Sequence, residues 1–271
     1  MKLTFLGSGS AFTLAHENYH SNIIIESDGK NVLYDAGTTI GDALQLQGMI
    51  PQDIQKIFIS HNHGDHTGGL EYIGFKRYFN GYPFGEDIPT LIGHHSVLDE
   101  LWDNGLKAGM RSLQDKTATL ETYFDVTYIP DSGAFDIGDN VTGEIVQTIH
   151  VIDDRRFMPS YGLMLLKKNA IQDHRVFITG DSQLAPNQMT SFYNHADTIF
   201  HDCELADYPN SVHAQYHELV TLPDAIKAKM WLYHYTTNDG AIELPDAVAD
   251  GFKGFVKRGD EFVFNGINDD V

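Results

Sequence analysis

The segment HNHGDH at residues 61–66 decides the fold that this sequence predicts. His61 and His63 stand two positions apart, so their imidazoles can converge on one metal ion from a loop. Adjacent side chains diverge, so Asp65 and His66 point toward a second ion, as in two-metal sites. A surface histidine cluster is the alternative, and it is disfavoured because an apolar, strand-like stretch directly precedes the segment.

Short apolar stretches bounded by turn residues surround this segment and predict many strands, with fewer helices between them. The predicted strands are Leu3–Leu6, Asn22–Glu26, Asn31–Tyr34, Lys56–Ser60, Thr90–Ile92, Val126–Ile129, Gly143–Thr148, Gly162–Leu166, Val176–Ile178, Thr198–Phe200 and Met230–Tyr233. The predicted helices cover 38–49 and Gly69–Phe79 and lie near 96–105, 186–194, 215–228 and 244–250. This pattern favours an α+β fold with two sheets and helices outside them.

Length and charge narrow the classes of function. The chain has 271 residues and no linker-like composition, so we expect a single domain over residues 1–271. Its formal charge of -20 disfavours a broad nucleic-acid surface, although a small anion could still bind a positive site. One cysteine, Cys203, excludes an intrachain disulfide, and no apolar run is long enough to span a membrane. We therefore expect a cytoplasmic protein.

The 61–66 segment resembles the signature of the metallo-β-lactamase superfamily, and the resemblance covers nearly the whole chain. It implies a four-layer αββα sandwich with metal ligands on loops at one edge of the sheets. It also implies three further ligands at strand ends. His150 resembles the third histidine of the first metal, Asp181 the bridging carboxylate, and His234 the last ligand of the second metal. Taken alone, His150 and His234 would more often be core or surface histidines, but their order and context favour the ligand role.

The implied ligand set combines five neutral imidazoles with two carboxylates: His61, His63, His66, His150 and His234 with Asp65 and Asp181. With two divalent ions the site keeps a net charge of about +2, which suits a phosphodiester anion. The resemblance implies two Zn²⁺ ions, although Asp/His sites also accept Mn²⁺ or Fe. Asp65 would additionally hold and orient the attacking water.

The metals alone do not distinguish lactams, thioesters, lactones and phosphodiesters as substrates. An alkoxide leaving from phosphorus benefits from a general acid, whereas a thiolate needs little help. Residues 201–204 and His213 resemble the segments that supply this acid in the ribonuclease Z branch of the superfamily. The resemblance implies His213 as the proton donor and Asp202 as its orienting partner. His217 is the competing donor, and Glu204 is expected to be a solvated side chain.

The transfer-RNA endonuclease of that branch fits poorly, because the sequence shows no inserted basic, Gly/Pro-rich arm. The segment from Leu219 to Tyr235 resembles phage anti-Pycsar proteins, which degrade cyclic pyrimidine nucleotides of bacterial immunity, and bacterial homologues look much the same. This resemblance implies a homodimeric phosphodiesterase that converts a 3′,5′-cyclic nucleotide to the monophosphate, with cyclic CMP or UMP foremost and purine substrates also open. A carboxyl-type hydrolase (thioesterase or lactonase) and a ribonuclease Z-like endonuclease are the alternatives.

The substrate-binding residues are not defined by the sequence. Four sets of side chains could shape the pocket: the 16–20 loop with His16, Tyr19 and His20; Arg155 and Arg156; Tyr161; and Tyr235. A solvated polar loop is at least as well supported for the first set, a solvated pair is the default for the arginines, and the tyrosines, which flank strands, are usually core residues. We interpret His94, His95, His174 and His195 as structural.

Overall fold

The computed structural model describes residues 1–264 except 15, 81–86, 132, 139, 155, 210 and 238–239. The strands, in chain order, are β1 Lys2–Phe5, β2 Ile23–Ser27, β3 Lys30–Tyr34, β4 Lys56–Ile59, β5 Thr90–His94, β6 Ser112–Leu113, β7 Lys116–Thr117, β8 Asp125–Ile129, β9 Ala134–Gly138, β10 Val141–Gln147, β11 Ile152–Asp153, β12 Arg156–Phe157, β13 Tyr161–Lys167, β14 His174–Ile178, β15 Thr198–Asp202, β16 Met230–Tyr233, β17 Gly254–Phe255 and β18 Glu261–Val263. The α-helices are α1 Ile40–Leu46, α2 Gly64–Thr67, α3 Leu70–Asn80, α4 His95–Glu100, α5 Lys107–Met110, α6 Pro186–His195, α7 Tyr216–Leu219 and α8 Asp224–Lys227. The described residues also form two 3₁₀ turns, Pro51–Asp53 and Leu120–Thr122, and a π-helical turn, Leu101–Leu106.

Two seven-stranded sheets form the body of the molecule, in the orders β18-β1-β2-β3-β4-β5-β8 and β17-β16-β15-β14-β13-β10-β9. Aromatic side chains join their inner faces. Phe5 of β1 packs on Phe200 of β15, and Phe58 of β4 stacks on Phe135 of β9 with ring centroids 5.6 Å apart. The outer face of the second sheet packs against helices in a separate apolar cluster. These layers confirm the predicted αββα sandwich.

Parallel pairing places the functional loops at one edge. In the first sheet β3, β4, β5 and β8 run parallel, and in the second sheet β14, β15 and β16 do so. The carboxyl ends of parallel strands meet at the same edge of a sheet, and open α/β sheets bind ligands there. The loop after β4 carries the 61–66 segment, and the loops after β14 and β16 carry Asp181 and His234.

The sequence-based helices need correction toward the C-terminus. The predicted helix at 244–250 is wrong, because residues 247–250 form only turns between Pro245 and Gly251, which has a φ of +95°. The predicted helix at 215–228 is two short helices: α7 ends at Leu219, and α8 begins at Asp224 with Pro223 as its N-cap residue. The predicted helix near 96–105 instead runs through α4, the π-helical turn and α5. Among the described residues, none of the helices is both long and apolar enough to cross a membrane.

Candidate metal centre

Three imidazoles and one carboxylate form the first ligand group: His61, His63, His150 and Asp181. His63 Nδ1 lies 3.0 Å from His61 Nε2 and 3.1 Å from His150 Nε2. Asp181 Oδ2 lies 3.7 Å from the Nε2 atoms of His61 and His150. Tetrahedral ligands at zinc–nitrogen distances of about 2.0–2.1 Å stand roughly 3.3 Å apart, so this spacing fits one tetrahedral ion.

The second ligand group is Asp65, His66, Asp181 and His234, and it shares Asp181 with the first. His66 Nε2 lies 3.2 Å from Asp65 Oδ2 and 3.3 Å from Asp181 Oδ2. His234 Nε2 lies 3.3 Å from Asp65 Oδ2 and from Asp181 Oδ1. A carboxylate common to two such groups is the arrangement expected of a bridged pair of ions.

Polar atoms without hydrogen bonds show that these residues fit a metal. Within the described part of the chain, His66 Nε2 and Asp181 Oδ1 are buried and accept or donate no hydrogen bond, although oppositely charged groups lie close by. Buried polar atoms are normally hydrogen-bonded. Atoms that face one another at ligand spacing, without hydrogen-bond alignment, are satisfied when a cation lies between them.

The electrostatics of the two groups differ in a way that also fits metal ions. Burial lowers the pKa of His61 well below its ordinary value and that of His150 to about 4, so both rings are neutral and offer lone pairs. Burial alone would raise the carboxyl pKa values of Asp65 and Asp181, but His66 and His234 hold both below the usual range. Burial would lower the pKa values of His66 and His234, but Asp181 and the neighbouring carboxylates raise both well above the ordinary value. The second group therefore pairs ionised carboxylates with imidazoles that hold protons, and a divalent cation would take the place of those protons.

Asp35 is a supporting residue that the sequence analysis missed. Its carboxylate accepts from the Ser60 amide at 2.8 Å and the Ser60 hydroxyl at 2.7 Å, and it lies 2.7 Å from His66 Nδ1. Ser60 Oγ also lies 3.0 Å from His61 Nδ1. Asp35 thus fixes the ring of one candidate ligand, His66, directly and that of another, His61, through Ser60. The sequence did offer one signal for Asp35, its position directly after β3, at the sheet edge that carries the candidate ligands.

Backbone geometry aims the remaining ligands. Gly180, directly before Asp181, has a φ of +62°, a conformation that glycine adopts readily and other residues rarely. His234 itself has a φ of +63°, and its N–H donates to Ser8 O at 2.8 Å. His150 Nδ1 lies 2.8 Å from Val212 O, which directs Nε2 toward the centre.

A histidine–carboxylate pair adjoins the two ligand groups. His213 Nδ1 lies 2.7 Å from Asp202 Oδ2 and 3.9 Å from Asp181 Oδ2. Asp202 Oδ1 is 3.2 Å from His234 Nδ1, so one buried carboxylate contacts both His213 and a ligand of the second group. Burial would lower the pKa of His213, but Asp202 raises it above the ordinary value. A protonated imidazole held this way can donate a proton.

The structure separates the other sequence candidates from the centre. His217 is exposed and pairs with Asp207 at 2.7 Å, so it does not join the pair formed by His213 and Asp202. Glu204 is half-buried rather than solvated, and it accepts from the Ala206 amide. Arg156 is exposed and lies 3.8 Å from an aspartate three residues before it, whereas Arg155 lies outside the described residues.

The aromatic and loop candidates divide between buried and exposed positions. Tyr161 and Tyr235 are only 5% and 7% exposed. The Tyr235 hydroxyl donates to Val256 O, and the Tyr161 hydroxyl lies 2.8 Å from His94 Nδ1. In the 16–20 loop, His16 is exposed, Tyr19 is half-buried beneath the Arg258 guanidinium, and His20 is buried 3.4 Å from Thr38 Oγ1.

The histidines interpreted as structural lie outside both ligand groups. His94 contacts Asp131 at 2.7 Å through Nε2, beside His95, in a separate cluster. His174 Nε2 lies 3.3 Å from Thr198 Oγ1, and His195 Nδ1 lies 2.6 Å from Ser191 O.

Comparison with known proteins places this chain in a family. A family model described as Anti-Pycsar protein Apyc1 matches residues 1–262. The chain belongs to this family. It is 31% identical over 236 residues to the Anti-Pycsar protein Apyc1 of Paenibacillus harenae, covering 87% of this chain and 90% of that relative. It is 29% identical over 245 residues to the Anti-Pycsar protein Apyc1 of Bacillus phage vB_BsuM-Goe3, covering 88% of this chain and 90% of the phage protein.

Solved structures show the same fold at lower identity. The human short-form tRNase Z superposes with a TM-score of 0.70 at 17% identity, covering 97% of this chain and 99% of that protein. The metallo-beta-lactamase fold protein YhfI from Bacillus subtilis gives a TM-score of 0.69 at 17% identity, with 97% and 99% coverage. Together with the family match, these findings confirm the predicted metallo-β-lactamase fold and the predicted resemblance to anti-Pycsar proteins.

Proposed function

We propose that this chain is a metal-dependent phosphodiesterase that hydrolyses a 3′,5′-cyclic nucleotide to the nucleoside monophosphate. The observation that carries the proposal is the His213–Asp202 pair beside two ligand groups that share Asp181. Ligand groups alone serve many hydrolases, whereas a positioned general acid is needed most where the leaving group is an alkoxide. Membership of the anti-Pycsar family supports the same class of reaction.

In this proposal two divalent cations, Zn²⁺ foremost, bind the two ligand groups. His61, His63 and His150 would hold the first ion; Asp65, His66 and His234 the second; and Asp181 both. When bound, the pair of ions would activate water and neutralise charge on the phosphate. Asp65 would accept a hydrogen bond from the attacking water and so orient it.

His213 would supply the proton that the reaction consumes at the leaving group. As the water oxygen bonds to phosphorus, the bond from phosphorus to one ribose oxygen breaks, and that oxygen takes a proton from the imidazolium. Asp202, through its 2.7 Å contact with Nδ1, leaves Nε2 as the donor to the substrate. The same carboxylate stabilises the charged ring before transfer, because a buried anion favours the imidazolium.

The substrate we propose is a small cyclic nucleotide, cyclic CMP or UMP foremost, with cyclic AMP and GMP also accepted. The formal charge of -20 argues against an extended nucleic acid, while two cations would make the site itself positive. The relatives in Paenibacillus and in Bacillus phages carry the anti-Pycsar description, so we propose the same role here, in evasion of cyclic-nucleotide immunity where a phage encodes the protein. Its site of action would then be the host cytoplasm.

The deciding experiment incubates the purified, zinc-loaded protein with each of the four cyclic mononucleotides and separates the products by chromatography. We expect linear monophosphate from at least one pyrimidine substrate. A thioester, a lactone and a transfer-RNA precursor, run in parallel, represent the competing activities. Turnover of one of these without any linear monophosphate would overturn the proposal.

We further propose that the protein is a homodimer, as the family resemblance implies. Light scattering coupled to size-exclusion chromatography measures the mass directly. A mass near that of one 30.3 kDa chain across micromolar concentrations would contradict this assembly.

A further inference from the structure

A cavity of about 450 Å³ opens beside His213 and is formed by three loops. Its lining residues follow β1, β15 and β16: Ser10, Ala11, Phe12, Glu204, Tyr208, Ser211, Val212, His213 and Thr236. Ligand pockets typically have volumes of about 300–1,000 Å³, so this space is large enough for a nucleoside. Because His213 belongs to its wall, an occupant would be contiguous with the proton donor.

Two large aromatic side chains of this cavity are unusually exposed. Phe12 is 83% exposed and Tyr208 is 53% exposed, although apolar rings usually pack into the core. Both lie on the same cavity, so their exposed surface is available to a planar ligand. By contrast, the two tyrosines that the sequence offers for base stacking, Tyr161 and Tyr235, are almost fully buried.

A buried hydroxyl in the same wall points independently to a ligand. Ser10 is only 6% exposed, and among the residues that the structure describes its Oγ has no hydrogen-bond partner. Buried polar groups in folded proteins are satisfied with few exceptions. A polar group of a bound molecule, at the position where Ser10 meets the cavity, would satisfy this one.

The charge of the wall sets the orientation of an occupant. Glu204 is half-buried in the wall of the cavity, and one of its carboxylate oxygens accepts from the Ala206 amide. A carboxylate here repels a phosphate but can lie beside a neutral base, because it can accept hydrogen bonds from the N–H groups of the base. The phosphate of a nucleotide would therefore lie toward the ligand groups, and the base toward Glu204.

We propose that this cavity is the nucleoside subsite, with the base stacked on Phe12 and Tyr208 and a polar group of the nucleoside bound by Ser10. The inference rests on the proposed function, since it places the phosphate of the cyclic nucleotide at His213. Stacking on aromatic rings accepts every base, because each base has a π face. The subsite thus explains how one enzyme could accept pyrimidine and purine cyclic nucleotides.

The test compares two substrates in Phe12→Ala and Tyr208→Ala variants. One substrate is cyclic CMP, and the other is ethyl 4-nitrophenyl phosphate, a phosphodiester without a nucleoside. We expect the ratio of the two kcat/KM values to shift against cyclic CMP by about 5- to 150-fold in each variant, the range measured when stacking residues are truncated. The conservative variants Phe12→Tyr and Tyr208→Phe should restore the ratio, because they keep the ring.

Tyr128→Ala is the matched control, since Tyr128 is a similarly exposed aromatic residue on the edge strand β8. Its substrate ratio should equal that of the wild type. Equal ratios in the control and both cavity variants would overturn the subsite while leaving the proposed function intact.

Calorimetric titration with cyclic CMP and CMP separates failure of the subsite from failure of the proposed function. If the wild type hydrolyses no cyclic nucleotide, the proposed function fails, and the subsite is judged by binding alone. Weaker binding in Phe12→Ala and Tyr208→Ala than in Tyr128→Ala would then support it. The absence of any nucleotide binding by the wild type would overturn it too.

Discussion

The candidate metal centre, called the centre below, and the neighbouring cavity differ in how firmly their side chains are held. At the centre, His61, His150 and Asp181 are at most 1% exposed, and supporting contacts orient the histidine rings. In the cavity, Phe12 and Tyr208 expose most or about half of their surface. A preorganised centre suits chemistry that tolerates little misplacement, whereas exposed rings on loops suit adaptable recognition. The contrast predicts that substitutions at the centre abolish turnover, while those in the cavity redistribute it among substrates.

The largest effect is expected from removing the carboxylate common to both ligand groups. Asp181→Ala should lower kcat/KM by about 10⁴-fold or more, because the several kcal/mol that metal ions contribute to the transition state would be lost. Elemental analysis of the purified variant should show fewer than two metal ions per chain. His95→Ala, an exposed histidine outside both ligand groups, is the control and should retain its metal and activity. A fully active, metal-replete Asp181→Ala variant would contradict the assignment.

The second-largest effect is expected from removing the proposed proton donor, His213, which lies between the centre and the cavity. His213→Ala should lower kcat on a cyclic nucleotide by about 10²- to 10⁴-fold, the usual contribution of general acid catalysis. The loss should be far smaller on ethyl 4-nitrophenyl phosphate, whose leaving group needs no proton. His217→Ala provides the matched comparison, since that side chain is exposed and paired with Asp207, and it should change little.

Equal losses on both substrates would show that His213 positions the centre rather than donating a proton. A larger loss in His217→Ala than in His213→Ala would reverse the assignment of the donor. The first result would make His213 a positioning residue of the centre, and the second would replace it with His217 as the donor.

A smaller effect is expected from the supporting residue behind the ligands. Asp35→Asn removes the charge that faces His66 Nδ1 but keeps nearly the same volume. Loss of such a supporting contact typically costs about 10- to 100-fold in metal affinity or activity. Competition with a fluorescent chelator measures the affinity, and Asp125→Asn on the exposed edge strand β8 is the control. An unchanged affinity would show that packing alone holds the ring of His66.

The residues that cluster at the candidate centre were identifiable from the sequence, and those of the cavity were not, for a physical reason. Ligands need particular residue types at strand ends, and those types at the spacing of residues 61–66 are rare by chance. Asp35 escaped prediction because a single aspartate after a strand has many structural explanations. Phe12 and Tyr208 escaped because they lie in different loops, and only the three-dimensional arrangement shows that both line one cavity.

The same reasoning explains the elements that the sequence predicted well and those it did not. Apolar strands such as Lys56–Ile59 are recognisable from their composition. The edge at which the parallel strands end then follows from the fold that these strands indicate. The segment 244–250 is predicted to be helical, but it contains Pro245 and is followed by Gly251, which has a left-handed backbone conformation. Residues 247–250 form turns instead. Short edge strands such as β17 and β18 depend on partners far away in the chain, which local patterns do not reveal.

The smallest effect concerns how backbone conformation contributes to the rigidity of the centre. Gly180 and Gly29 have similar φ values, +62° and +73°, but a Cβ atom on Gly180 would lie 2.8 Å from the Tyr34 hydroxyl, while on Gly29 it would meet nothing within 4 Å. An alanine in the left-handed region costs about 1–2 kcal/mol, so both Gly→Ala variants should lose roughly that much free energy of unfolding. Denaturant unfolding measures this loss, and Gly180→Ala should lose more because Tyr34 must move. Only Gly180→Ala should also lower turnover, since it shifts Asp181, so equal activity in the two variants would show that the centre tolerates more displacement than its buried, supported ligands indicate.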